Sequence, residues 1–202
     1  MIVSKKGCVA ALKEAWKKGY EIVPYMGKIS IYTENWALQT SARELPLEVS
    51  QTLVEHYGGI PTEPMLVQKG RDNQGMIGAV ENSRAEELLL RQEAPTYMRR
   101  VPVTFKEKWD LFVTDDGAWM CVDRQYLDIL EETRQVAVMI TEEGMALFSL
   151  ADEKLTVAPG SFGVEDHRKL QKIAEMYIQE KIYEVEVPEN MSLFDNIGRE
   201  DE

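Results

Sequence analysis

Two stretches of this sequence run in the same order: an apolar run, a threonine, two acids, a glycine and a second apolar run. In LFVTDDGAWMCV the break is Thr114-Asp115-Asp116-Gly117, and in VMITEEGMALFSL it is Thr141-Glu142-Glu143-Gly144. A short polar break closed by Gly reads as a hairpin turn, because Gly reaches positive φ without a Cβ clash. Hairpins pair strands that are neighbours in sequence, so such a chain builds antiparallel sheet. The match is too short to argue duplication, since turn chemistry alone produces it.

The same punctuation recurs elsewhere. YEIVPYMGKISIYTENWALQT reads as strand, Gly turn, strand, short turn, strand, and PMLVQKGRDNQGMIGAV reads as a further hairpin. MRRVPVTF reads as a strand in which Pro102, lacking an N–H, argues for a sheet edge. Helical spacing appears over 5–18, where Ser4 is a cap, Val9, Leu12 and Trp16 share a face, and Gly19 is the stop. A second helix starts at Pro46, turns Val49, Leu53 and Tyr57 inward, and ends at Gly58-Gly59. Ser83 and Glu86 stand at capping-box spacing before Leu88 and Leu89, with Pro95 as the stop. Asp123 caps a short helix in DRQYLDILEET, and residues 164–181 carry a stripe of Leu170, Ile173, Ala174, Tyr177 and Ile178. IYEVEV, residues 182–187, alternates like a final strand before Pro188. The expected fold class is α+β, with mostly antiparallel hairpins packed with four or five helices. Residues 1–187 form one domain, or two joined lobes with a boundary near 94–102, and residues 188–202 form an acidic flexible tail.

The chain has 202 residues, 44% of them hydrophobic, which suffices for a substantial core. Its net charge of -12 repels a nucleic-acid backbone, so direct nucleic-acid binding is not expected. The charge is uneven: six lysines against two glutamates give residues 1–28 a charge of +4, and one arginine against seven acids gives residues 184–202 a charge of -6. Lys5, Lys6, Lys13 and Lys17, and the stretch TYMRR at 96–100, are the positive clusters. No apolar run is long enough to cross a bilayer, and the first residues lack a secretory pattern, so a cytoplasmic location is expected.

Chemistry-bearing residues are sparse. Cys8 and Cys121 belong to no CxxC pair and read as buried reduced thiols. His56 and His167 are the two imidazoles, and neither has a cysteine or serine nucleophile motif beside it. Asp115-Asp116 and Glu142-Glu143 read as solvated turn acids, because adjacent residues point different ways. Glu165-Asp166-His167 reads as a helix start that favours acids, and PGSFG at 159–163 precedes it without a phosphate-cradle pattern. No catalytic residue, metal ligand or cofactor is assigned from these residues.

The tail is different. Pro188 is followed by Glu189-Asn190-Met191-Ser192-Leu193-Phe194, then by the polar DNIGREDE. Leu193 and Phe194 are costly to leave in water, since burying such a side chain is worth roughly 1.5–3 kcal/mol. Asn190-Met191-Ser192-Leu193-Phe194 resembles the short linear motif by which bacterial proteins bind the replication sliding clamp, typically Gln-Leu-Ser/Asp-Leu-Phe near a chain end. Ser192, Leu193 and Phe194 match it in full. Met191 replaces Leu with similar volume, and Asn190 replaces Gln with one methylene fewer. The resemblance implies that Met191, Leu193 and Phe194 fill a clamp pocket while Asn190 hydrogen-bonds at its rim. Three destinations stay open for these side chains: the clamp, another partner or a second copy, and the protein's own surface as a latch.

The leading functional expectation is a non-enzymatic accessory protein, bacterial or from a mobile element, docking on a protein partner through 190–194. The alternatives are an acidic, phage-type inhibitor of a basic nucleic-acid-binding protein, motivated by the net charge, and an enzyme without a recognisable motif.

Overall fold

The computed structural model describes residues 3–69, 75–79, 96–131, 137–141, 144–150 and 153–181. The helix expected between Ser83 and Pro95, the strand expected over 182–187 and the motif at 190–194 lie outside the described residues.

The described residues hold eleven strands and four helices. They are α1 (Lys5–Lys18), β1 (Tyr20–Tyr25), β2 (Lys28–Tyr32), β3 (Trp36–Ser41), α2 (Leu47–Tyr57), β4 (Met65–Lys69) and β5 (Gly75–Ala79). There follow β6 (Thr96–Phe105), β7 (Trp109–Thr114), β8 (Trp119–Asp123), α3 (Arg124–Leu127), β9 (Ala137–Ile140), β10 (Ala146–Leu150), β11 (Glu153–Val157) and α4 (Val164–Lys181). The strands form one antiparallel sheet in the order β5-β4-β1-β2-β3-β11-β10-β9-β6-β7-β8. This corrects the expected α+β assembly of hairpins packed with four or five helices. The hairpins are not separate units each covered by its own helix: they join edge to edge into a single sheet. The β3–β11 seam supplies one such join, with Leu38 opposite Leu155 and Trp36 opposite Val157.

Local signals behave as their chemistry dictates. The Ser4 hydroxyl accepts from the Gly7 N–H, and Gly19, at φ 102°, ends α1 by donating to the Ala15 carbonyl. Gly58 closes α2 in the left-handed conformation. The two acidic turns share one hydrogen-bond pattern. Thr114 N–H donates to the Ala118 carbonyl and Gly117 N–H to the Thr114 carbonyl; Thr141 N–H donates to Met145 and Gly144 N–H to Thr141 in the same way. Both glycines have positive φ, 95° and 76°, as the closing residue of such a hairpin requires. Pro102 departs from expectation. β6 lies inside the sheet, between β9 and β7, and the register shifts between Arg100 and Thr104. Pro102 falls within that irregularity, where the regular ladder is interrupted, so an edge position is not needed to accommodate it.

The inner face of the sheet carries the main core. Tyr20, Ile22, Ile31, Leu38, Leu155, Phe148, Phe112, Met120 and Val122 pack in one cluster with Cys8, Leu12, Ala15, Val49 and Leu53 from α1 and α2. β4 and β8 are nine strand spacings apart, about 43 Å in a flat sheet. Yet α1, about 21 Å long, packs against β4 and also against α3, which directly follows β8. The sheet therefore curves around α1. A second, smaller cluster sits on the outer face, where Leu170 and Ala174 of α4 cover Val101, Leu111, Val113 and Cys121 of β6–β8.

Closure depends on Gly7. A Cβ there would lie 1.6 Å from the Asp128 carbonyl oxygen and 2.9 Å from the Ile129 nitrogen, both backbone atoms. Neither neighbour can rotate away. Gly7→Ala is expected to destabilise the fold by more than the ~1–3 kcal/mol typical of overpacking, read as the midpoint shift in urea denaturation. A shift below about 1 kcal/mol would mean that α1 and α3 separate easily.

Candidate functional site

The two imidazoles sit in unlike places. His56 is buried at the last turn of α2, stacked on Trp16 of α1 with ring centres 4.1 Å apart and planes at 17°. Its Nδ1 shares a hydrogen bond of 2.8 Å with the Tyr20 hydroxyl of β1. Burial lowers the His56 pKa below its ordinary 6.5; Glu55 opposes this and Lys13 reinforces it. The ring is thus a neutral packing element that ties α1, α2 and β1 together. A helix C-terminus favours a cation, but here the cost of burial outweighs that attraction.

His167 is exposed in the first turns of α4, its ring 4.8 Å from that of Trp119. It lines an open groove of about 570 Å³ with Trp119, Met120, Cys121, Pro159 and Phe162. The groove forms because residues 158–163 return along β8: the Gly160 N–H donates to the Cys121 carbonyl at 2.8 Å. Gly is needed at 160 because a Cβ would meet the Trp109 ring at 2.5 Å. Phe162 then packs edge-on against Trp109 and Phe105, at 5.0 and 6.1 Å. PGSFG is thus an aromatic-packed strap over a sheet edge. α4 follows it with Glu165 and Asp166 in its first turn, a placement that disfavours an anion.

Cys121 and His167 therefore share a groove, which their separation in sequence did not foretell. They do not make a nucleophile pair of the usual kind. Burial, with a contribution from Asp110, pushes the Cys121 thiol up to about 12, so the thiolate is scarce near neutrality. Cys8 lies apart in the inner core, also pushed up to about 12 by burial. Both cysteines are buried and free, as expected.

Glu142-Glu143 lies outside the described residues, and the other two acidic clusters disperse. Asp115 pairs with Arg99 while Asp116 accepts from the Thr114 hydroxyl, so the two carboxylates point to different partners. That hydroxyl, followed by the Ala118 backbone, lowers the Asp116 pKa. Glu165 pairs with Lys169, Asp166 with Lys106, and His167 turns to Trp119. Among the described residues no group of three or more His, Cys, Asp or Glu is arranged to hold a metal ion. In the basic clusters Lys5 pairs with Glu48, Arg99 with Asp115 and Arg100 with the buried Asp110, and Lys18, at the end of α1, pairs with Glu34. No described helix is long and apolar enough to cross a membrane. Asn190, Met191, Ser192, Leu193 and Phe194 lie outside the described residues.

No protein-family model matches this chain, and no curated protein does. Among solved structures it is similar to the DNA polymerase beta subunit of Streptococcus pyogenes, at 9% identity and a TM-score of 0.34 over 82% of this chain. It is also similar to the DNA polymerase sliding clamp of Bacillus subtilis, at 10% identity and 0.35 over 80%. The chain spans just under two thirds of either matched chain, 66% and 64%. Scores at this level do not indicate a common fold.

The groove was hard to read from sequence. Its lining residues Trp119 and Phe162 come from a strand and a loop, and Phe162 is held by Trp109 and Phe105 of two further strands; an aromatic residue in a strand signals core before it signals a groove.

His56 gives a pH prediction. Its folded pKa is lowered, so the unfolded chain takes up the proton first as pH falls. Stability is full above about 6.5 and declines as pH drops from there through the folded value. The melting temperature is expected to fall further between pH 7 and 5 in the wild type than in His56→Gln. Equal falls would show that His56 does not carry this dependence.

Proposed function

We propose that this chain is a non-enzymatic accessory protein that docks on the bacterial replication sliding clamp through residues 190–194. The observation that carries this reading is the run Met191-Ser192-Leu193-Phe194 behind Pro188, at the start of a polar acidic end. Leu193 and Phe194 are the anchors, Met191 fills the adjoining space with a flexible thioether, and the Asn190 amide bonds at the rim. Two or three such anchors, less the cost of ordering the segment, correspond to a micromolar contact of about -8 kcal/mol. The described part supports a non-catalytic role in one respect: both thiols are buried with raised pKa values, and His56 is engaged in packing.

The test is fluorescence anisotropy of a labelled peptide covering 186–202, titrated with a bacterial sliding clamp. Saturable micromolar binding is expected. In the full chain, Leu193→Ala with Phe194→Ala is expected to weaken clamp binding by at least about 30-fold while leaving the melting temperature nearly unchanged. Binding that survives the double replacement would overturn the motif assignment. Asn190→Gln restores the missing methylene and is expected to tighten binding several-fold.

A further inference from the structure

The groove beside His167 has a backbone feature of its own. β8 ends the sheet, so among the described residues one side of it has no neighbouring strand. Along an antiparallel strand one residue turns its N–H and C=O to the partner, and the next turns them away. Thr114 N–H donates to the Ala118 carbonyl, so Ala118 turns toward β7. Met120 and Val122 follow it by the two-residue repeat, while Trp119 and Cys121 turn away from β7 to the open side. The Cys121 carbonyl bears this out, since it accepts from the Gly160 N–H of the strap at 2.8 Å. At Asp123 the strand gives way to α3. Trp119 is therefore the residue of this edge whose N–H and C=O are both open: among the described residues neither has a partner.

We propose that this groove binds an uncharged purine, as free base or nucleoside, whose adjacent donor and acceptor pair with the Trp119 N–H and C=O while its ring packs against the aromatic walls. A single open residue is too short a rail for an added peptide strand, which draws its affinity from a run of main-chain bonds. It matches the edge of a heterocycle that carries a donor beside an acceptor. The walls suit a flat ring: half-buried Trp119 and Phe162 line the groove from the strand and from the strap, and the His167 ring stands 4.8 Å from that of Trp119. Trp109 and Phe105 hold Phe162 edge-on, so that wall is set before a ligand arrives. The volume of about 570 Å³ lies within the ~300–1,000 Å³ of small-molecule sites. No lysine or arginine is among the described lining residues, and Glu165 and Asp166 occupy the first turn of α4 ahead of His167. A phosphate there would lack a counter-charge, which selects an uncharged ligand. The site uses none of residues 190–194 and does not depend on the clamp reading.

Titration of the full-length chain with adenosine, followed by backbone-amide NMR, tests it. Saturable binding with a dissociation constant on the order of 0.1 mM is expected, with the Trp119 amide among the largest shifts. Purine riboside keeps the ring and lacks the exocyclic donor, and is expected to bind about fivefold more weakly. Adenosine 5′-monophosphate is expected to bind no more tightly than adenosine. Trp119→Leu keeps an apolar side chain on the outer cluster and removes the indole, and is expected to weaken adenosine binding at least about tenfold. Absence of saturable binding at millimolar adenosine, or saturation that leaves the Trp119 amide unmoved, would overturn the site, and both are read on the wild type should the leucine variant not fold. Unchanged affinity in a folded leucine variant would overturn the aromatic contact. Equal binding of purine riboside would overturn the edge pairing, and tighter binding of the monophosphate would overturn the uncharged ligand.

Discussion

The close approach of α1 to the backbone after β8 holds this structure together. Gly7 faces the Asp128 carbonyl, Ser4 N–H donates to the Ile129 carbonyl, and Val3 bridges Leu130. Next along the same helix stripe come Cys8, Ala11, Leu12 and Ala15, mostly small residues that let the helix sit deep in the sheet. A flat eleven-stranded sheet would leave β4 and β8 far apart and their apolar inner sides in water. Curving it around one helix puts Val67 and Val122 in the same core. The hydrophobic gain comes from many residues, but the geometry that admits it rests on a helix thin enough to serve both sides.

The rest of the architecture follows from that choice. Once the inner face is filled by α1 and α2, the outer face must be handled separately. At β6–β8 this is done by α4 and the PGSFG strap, which places Cys121, His167 and Trp119 around one groove. The same covering pushes the thiol to high pKa and leaves the imidazole outside. Proximity of a cysteine and a histidine here is a by-product of protecting a sheet edge, and burial works against the ionisation a nucleophile needs. At the centre of the outer face, Leu147 and Thr156 are closed to water.

Local chemistry was legible in the sequence because it acts over a few residues. Thr114 to Gly117 and Thr141 to Gly144 specify matching turns through glycine's access to positive φ, and Ser4, Gly19 and Gly58 bound helices through groups within one turn. Asp123 caps α3 as expected, although the helix stops at Leu127 because the chain must turn back to meet Val3. Pro102 misled because a proline reports only a missing donor. It does not say whether an edge or a bulge accommodates it.

By itself the sequence determined antiparallel hairpins, the ends of the long helices and two buried thiols. Only the tertiary structure decided that the hairpins fuse into one sheet and that this sheet curves about α1. It also decided that His56 is a neutral packing ring and that Cys121 meets His167 beside Trp119. Seams such as Leu38 against Leu155 join strands more than a hundred residues apart. The alternation within a strand says which side is apolar, but not which distant strand lies beside it. That choice is made by the whole packed core at once.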